Sequence, residues 1–182
     1  MNDSNSRLKS EINRDGKNFQ IIENGITKLK GQYPKWYSIG NLQFHYNNKT
    51  FNIKKKSFWR TDLLIEENGR SLGEVVFSFT KGREVHLKDE NSKLSKYTLK
   101  SKKTGKWYVN QRQYTLYKDN TFPILTIFHQ VNNWKSNYKF EFIEKEKPNY
   151  VLLAIAFFLM TLSKANSSVL FIIFCFCSRL CL

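Results

Sequence analysis

Apolar and polar residues alternate along most of the chain, in short runs that are typical of β-strands. In one such run Phe51 and Ile53 alternate with polar neighbours, the period-2 pattern of a half-buried strand. The pairs Asn24-Gly25 and Asn68-Gly69 separate consecutive runs and favour tight hairpin turns. Many short strands at a spacing of roughly 8–12 residues predict a β-sandwich or a β-barrel, and we expect about twelve strands.

Thirteen β-rich runs follow a polar lead-in and are the candidates for these strands, and 124–130 is more uniformly apolar than the others. They are 20–23, 26–30, 36–39, 42–46, 50–58, 63–66, 71–79, 84–88, 96–100, 107–110, 113–117, 124–130 and 138–143. No long amphipathic helix interrupts them, which argues against a parallel sheet built from βαβ units.

One later stretch, NYVLLAIAFFLMTL at 149–162, has no polar residue from Val151 to Met160. Its Leu, Ala and Met residues favour a helix, which we predict over 148–163 with Pro148 in the first turn and an end near 163–166. A helix that is apolar all round is either surrounded by protein or inserted in a membrane. About 16 residues span roughly 24 Å, and a membrane crossing usually needs about 20, so the length favours burial in protein.

The strands and the helix together predict a mainly β fold, a closed antiparallel barrel of about twelve strands around a central apolar C-terminal helix. Such a barrel leaves a lumen about as wide as one helix. We therefore expect a disordered segment at 1–18, the barrel with its helix at 19–164, and an apolar tail at 165–182. The tail pattern fits a thirteenth strand, a second packed helix or half of a membrane hairpin.

These features resemble the tubby C-terminal-like superfamily, which also holds the phospholipid scramblases and the plant LURP-one-related proteins. The resemblance rests on the strands from about Phe19 to Ile143, on the apolar helix placed last, and on the hairpin segment LIEENGRSLGEVVF at 64–77. It implies a closed twelve-stranded barrel around the helix and binding to phosphoinositides or membrane surfaces. Asp89-Glu90-Asn91 lacks the spacing and the Gly of a calcium loop, so we do not expect lipid scrambling.

The chain is strongly basic, with 30 Lys and Arg against 15 Asp and Glu and a formal charge of +15. Such a charge attracts anionic partners, either lipid headgroups or nucleic acid, although it is also compatible with a well-solvated surface. Two runs are candidate lipid-phosphate sites: Lys54, Lys55 and Lys56 in the first, and Lys100, Lys102 and Lys103 in the second. The alternative for both runs is a set of solvated or edge-protecting lysines.

Catalytic and metal-binding patterns are missing from the sequence. His45, His86 and His129 stand on different predicted strands without Cys, Asp or Glu at ligand spacing, so we expect no metal and no cofactor. Neither a phosphate-binding loop nor a nucleophile motif is present, so we expect no enzymatic activity. Basic and aromatic residues together could hold single-stranded nucleic acid, but no recognised motif supports that partner.

The expected function is a non-enzymatic β-barrel module that binds anionic phospholipid headgroups at a membrane surface through its basic runs. Met1–Asn18 is polar and carries no secretory pattern, and Cys175, Cys177 and Cys181 all stand in the tail, so we expect a cytoplasmic location beside a membrane. The alternative is a tail-anchored membrane protein with a basic cytosolic β-domain and its 150–182 region inserted in the bilayer.

Overall fold

The computed structural model describes residues 10–33, 41–57, 61–78, 82–88, 93–104, 111–132, 135–143 and 148–177, with side chains described up to Ser163 in the last range. Within these ranges the chain forms twelve β-strands and one helix. They are β1 (Ser10–Asp15), β2 (Asn18–Glu23), β3 (Ile26–Gln32), β4 (Leu42–Tyr46), β5 (Lys49–Lys55), β6 (Leu63–Glu67), β7 (Arg70–Ser78), β8 (Gly82–Lys88), β9 (Leu94–Lys103), β10 (Gln111–Lys118), β11 (Phe122–Asn132), β12 (Lys135–Phe142) and α1 (Tyr150–Cys177).

Each strand pairs antiparallel with the next one along the chain, and β1 pairs with β12 to close the ring. The closing register places Glu11 opposite Lys139 and Ile12 opposite Tyr138. Closure removes the unpaired edges that an open sheet would present to another chain. The predicted closed antiparallel barrel is confirmed.

Tight turns join many of the strands, and their residues explain the hairpins. Asn24, Asn68 and their following glycines all have positive φ, as do both residues of Asn47-Asn48 and of Asp119-Asn120. A two-residue turn with positive φ at both positions matches the right-handed twist of the flanking strands, and Asn, Asp and Gly tolerate it best. The turn pairs of the sequence therefore set the register of three hairpins, while Asp119-Asn120 and Thr121 form a three-residue turn between Lys118 and Phe122.

The first half of α1 fills the barrel and forms the centre of its core. Every residue from Leu152 to Met160 is buried. The Phe157 ring packs at 5.3 Å from the Phe19 ring of β2 and at 5.1 Å from the Tyr138 ring of β12, measured between centroids. The predicted central helix is confirmed, and it is buried because inward-facing side chains surround it on all sides.

The ends of α1 differ from the prediction. The helix begins at Tyr150 and not at the predicted 148, and Asn149 is its N-cap: the Asn149 Oδ1 accepts a hydrogen bond of 3.0 Å from the Leu152 amide. The predicted end near 163–166 is wrong, since the helical backbone continues to Cys177. Ser163 is tolerated inside the helix because its hydroxyl donates to the Met160 carbonyl at 2.8 Å.

Two other boundaries also change. The prediction of disorder at 1–18 is wrong for Ser10–Asp15, which forms β1, while 1–9 lies outside the described residues. The predicted strands at 36–39 and 107–110 lie outside the described residues too. Of the three structures considered for the tail, a thirteenth strand is wrong over 165–177, where the backbone is helical.

The barrel has two ends, defined by the direction of α1. At the proximal end, where α1 begins, the Tyr150 hydroxyl donates to Glu23 Oε2 at the end of β2 at 2.5 Å. At the distal end, Tyr33 Oη lies 3.2 Å from Thr161 Oγ1 of α1. Because neighbouring strands are antiparallel, all four turns with positive φ named above lie at the proximal end.

Candidate functional site

The first predicted basic run lies at the end of β5, and two of its three lysines are in ion pairs. Lys54 Nζ lies 2.8 Å from Glu66 Oε1 of β6, and Lys56 Nζ lies 2.7 Å from Glu74 Oε2 of β7. Lys55 between them is exposed. The carboxylates offset much of the positive charge that this run would offer an anionic ligand.

The second predicted run lies on β9 and is less neutralised. Lys100 donates to the Asn120 carbonyl at 3.2 Å, and its Nζ lies 4.7 Å from the centroid of the Tyr117 ring. Lys102 and Lys103 are exposed, and their cross-strand partners on β10 are Gln113 and Arg112. On the other side of β9, Glu84 of β8 stands opposite Thr98, between Lys96 and Lys100. This part of the wall therefore keeps more of its positive charge than the first run does.

The structure does not bring the two runs together. Strands β6, β7 and β8 lie between β5 and β9 in the ring. Lys54, Lys55 and Lys56 thus belong to one side of the barrel, and Lys100, Lys102 and Lys103 belong to another. A ligand small enough for one headgroup site would contact only one of the two runs.

The proximal end carries a group of apolar side chains that the sequence did not single out. We call them the proximal apolar surface: Ile26, Leu94, Phe122 and Ile143, which are 60%, 49%, 63% and 45% exposed. Each one stands directly beside a turn or a loop, at the start of β3, β9 or β11 or just after β12. Isolated apolar residues next to turns form no periodic pattern, so only the topology shows that they share one end.

Lysines surround the β9–β11 part of this surface. Lys96 and Lys118 are exposed, and the Asp119 amide next to Lys118 donates to the Lys96 carbonyl at 2.9 Å, which ties the two strand ends together. Phe122 is the cross-strand partner of Lys118 on β11. Apolar and cationic side chains therefore lie together at this corner of the barrel, along with the exposed carboxylate of Asp119.

A cavity of about 440 Å³ opens at the same end, between the start of α1 and the strands from β4 to β9. Its walls are mainly apolar, with Phe51, Leu72, Leu87 and Leu152 among them, and Lys49 and Glu67 contribute charge. Those two residues form an ion pair at 2.5 Å. A pocket with apolar walls and a few polar groups has the character of a small-ligand site.

The interior of the distal half contains phenols and an arginine with shifted pKa values. Burial raises the pKa of Tyr33, although its hydrogen bond to Thr161 acts against the shift. Burial also raises the pKa of Tyr114, and it lowers the pKa of Arg83, whose Nη1 makes no hydrogen bond in the described part of the chain. Phenols with a raised pKa stay neutral near neutral pH and cannot act there as bases.

Tyr150 at the proximal end has a raised pKa for related reasons. Burial is the largest cause, and the hydrogen bond to the Glu23 carboxylate is the second. The pair holds the first turn of α1 against β2, and the raised pKa keeps the Tyr150 phenol neutral near neutral pH. The role that this geometry supports is structural.

The three histidines stay apart in space. His45 lies 3.1 Å from Thr50 Oγ1, His86 lies 3.4 Å from Glu84 Oε2, and His129 lies 3.2 Å from Ser136 Oγ. Among the described residues, no group of three or more His, Cys, Asp or Glu side chains is placed to hold a metal ion.

Within the residues whose side chains the structure describes, no helix combines the length and the apolar character needed to cross a membrane. No protein-family model, curated protein or solved structure matches this chain.

Proposed function

We propose that the protein is a non-enzymatic β-barrel module that binds anionic phospholipid headgroups at a membrane surface. The observation that carries this proposal is the basic wall of β9. Its lysines face Arg112, Gln113 and Thr115 on β10, none of which is acidic, and Lys96 and Lys118 extend the positive charge to the proximal end. Lysines near an anionic bilayer are each worth about 1 kcal/mol of binding free energy.

The lysines of β5 contribute less in this proposal. Lys54 and Lys56 would have to leave Glu66 and Glu74 to contact a phosphate, and the released carboxylates would repel the same membrane. Of the six lysines predicted as candidates, Lys102 and Lys103 stand at the distal end of β9, whereas Lys96 and Lys118 continue the charge of Lys100 toward the proximal end. We therefore assign the main contact to Lys100 together with Lys96 and Lys118.

Sedimentation with lipid vesicles tests the proposal. We expect the full chain to bind vesicles of phosphatidylserine and phosphatidylcholine and to bind weakly to phosphatidylcholine alone. Raising the salt from about 0.1 M to about 1 M shortens the screening length from about 10 Å to about 3 Å and should release most of the protein. Equal binding to both vesicle types at low salt would contradict the proposal.

A pair of charge-matched variants locates the contact. Replacing Lys96 and Lys118 by Gln should weaken binding to the anionic vesicles by roughly thirtyfold, since two lysines account for about 2 kcal/mol. Replacing Lys54 and Lys56 by Gln removes the same charge but leaves two carboxylates without ion-pair partners. If the two double variants bind equally, net charge alone explains the attraction and the β9 wall is not the site.

A second candidate is the tail-anchored membrane protein. It requires residues 150–182 in a bilayer, but residues 150–162 of that region pack inside the barrel. The observation that favours an anchor formed by residues after 162 is the continuation of the helical backbone of α1 to Cys177. Carbonate extraction of membranes from cells that express the full chain tests it: a protein released without detergent is not anchored.

A further inference from the structure

We propose that the proximal end of the barrel meets the membrane and that the proximal apolar surface inserts into it. This inference rests on the proposed function, because the lysines supply the attraction to the anionic surface. It adds the orientation of the molecule and an apolar contribution that charge alone does not provide. The ligand is the outer part of an anionic bilayer, where headgroups meet acyl chains.

The four apolar residues lie in one continuous sector of the ring. Going around the barrel, the strands from β9 through β10, β11, β12, β1 and β2 to β3 are successive neighbours. Leu94 begins this sector on β9, Phe122 and Ile143 lie at its middle, and Ile26 ends it on β3. Ile143 is held in place because its amide donates to the Ile124 carbonyl at 2.7 Å.

The other half of the proximal end has a different character. Its turns are Asn47-Asn48 and Asn68-Gly69, and the ion pair between Lys49 and Glu67 lies between them. Both halves carry asparagine turns, but among the described residues no large apolar side chain is exposed at the proximal end of β4 to β8. The contrast between the two halves indicates that the barrel contacts the bilayer through the sector from β9 to β3.

Charge complements the apolar side chains in that sector. Lys96 is exposed two residues after Leu94, Lys118 is exposed opposite Phe122, and Lys88 at the edge of the neighbouring β8 is exposed opposite Leu94. The exposed Asp119 next to Lys118 offsets one of these charges. Peripheral proteins bind anionic bilayers through buried apolar area together with electrostatic attraction, and an apolar side chain flanked by lysines supplies both. A protein partner would need a large complementary surface, whereas a bilayer can take up apolar side chains that are spaced apart from one another.

Fluorescence quenching by lipids with brominated acyl chains tests the inference directly. In the full chain, Phe122→Trp places the reporter in the proposed surface, and Phe128→Trp is the matched control. Phe128 is also exposed, at 39%, but it lies within β11 on the outer wall, opposite Gln113 and Lys139. We expect bound Phe122→Trp to show strong extra quenching over the wild type and Phe128→Trp to show little.

Binding of serine variants supplies the second readout. Phe122→Ser should lower the partition onto anionic vesicles by about tenfold at a salt concentration where the wild type still binds, while Phe128→Ser should change it less than twofold. Matching thermal unfolding curves for the two variants would show that neither effect comes from misfolding.

The outcomes separate this inference from the proposed function. If the wild type binds anionic vesicles but the reporter at 122 is no more quenched than the one at 128, the orientation proposed here is wrong and headgroup binding stands. If the wild type shows no preference for anionic vesicles, the proposed function fails, and the inference fails with it.

Discussion

Single residues decide how closely the strands of this barrel can approach one another. Gly73 on β7 lies against β8 so tightly that a Cβ atom there would overlap the His86 carbonyl oxygen and press on Leu87. Gly31 on β3 has the same role against the Phe19 ring, which in turn packs on Phe157 of α1. A glycine inside a strand often marks such a close approach of backbone to backbone.

Replacing Gly73 by Ala should therefore destabilise the fold by about 1–3 kcal/mol, because the overlapping atom belongs to the backbone and cannot rotate away. Urea unfolding followed by circular dichroism measures the change. Ser71→Ala, at an exposed position of the same strand, is the control and should shift stability by less than about 0.5 kcal/mol. A Gly73→Ala protein as stable as the control would show that the strands can separate freely.

Single residues also illustrate what the sequence could and could not predict. Asn24-Gly25 and Asn68-Gly69 were predictable as turns because few residues tolerate positive φ. The ion pairs of Lys54 and Lys56 were not, since they depend on the register of β5, β6 and β7 around a loop with no turn signature. The exposure of Phe122 depends on the whole topology, so no local signal could have indicated it.

At the scale of elements, α1 was the strongest prediction and its ends were the weakest. The apolar run from Val151 to Met160 predicts a helix without a water-exposed face, and the structure shows it buried inside the barrel. The cap at Asn149 and the continuation past Ser163 depend on single hydrogen bonds that several nearby residues could have made. β1 was missed for a related reason: Ile12 is its one apolar residue, and the strand is stabilised by pairing with β12 across the closure.

The N-cap of α1 leads to a prediction about the stability that one helix contributes. Asn149→Ala removes the acceptor for the Leu152 amide and should lower the free energy of unfolding by about 0.5–2 kcal/mol. Chemical denaturation measures the loss. Asn149→Ser keeps a side-chain acceptor and should retain most of the stability, so an equal loss in both variants would show that the side chain of Asn149 acts in some other way.

At the scale of the whole molecule, the barrel and the helix depend on each other. The strands present inward aromatic and aliphatic side chains to a helix that has no polar face along its buried part, and neither could be soluble with that surface exposed. The same topology places the proximal apolar surface, Ile26, Leu94, Phe122 and Ile143, at the proximal end, next to the lysines of β9. The proposed membrane surface is thus a property of the closed ring and not of any one segment.

The measurement that tests this account most directly is thermal unfolding of a chain that stops at Lys147, compared with the full chain by circular dichroism. Without α1 the inward side chains lose the partner that fills the lumen, so we expect no cooperative transition and a protein that precipitates. A shortened chain that stays soluble and unfolds cooperatively with an unchanged β spectrum would contradict the claim that the helix is the core of the barrel.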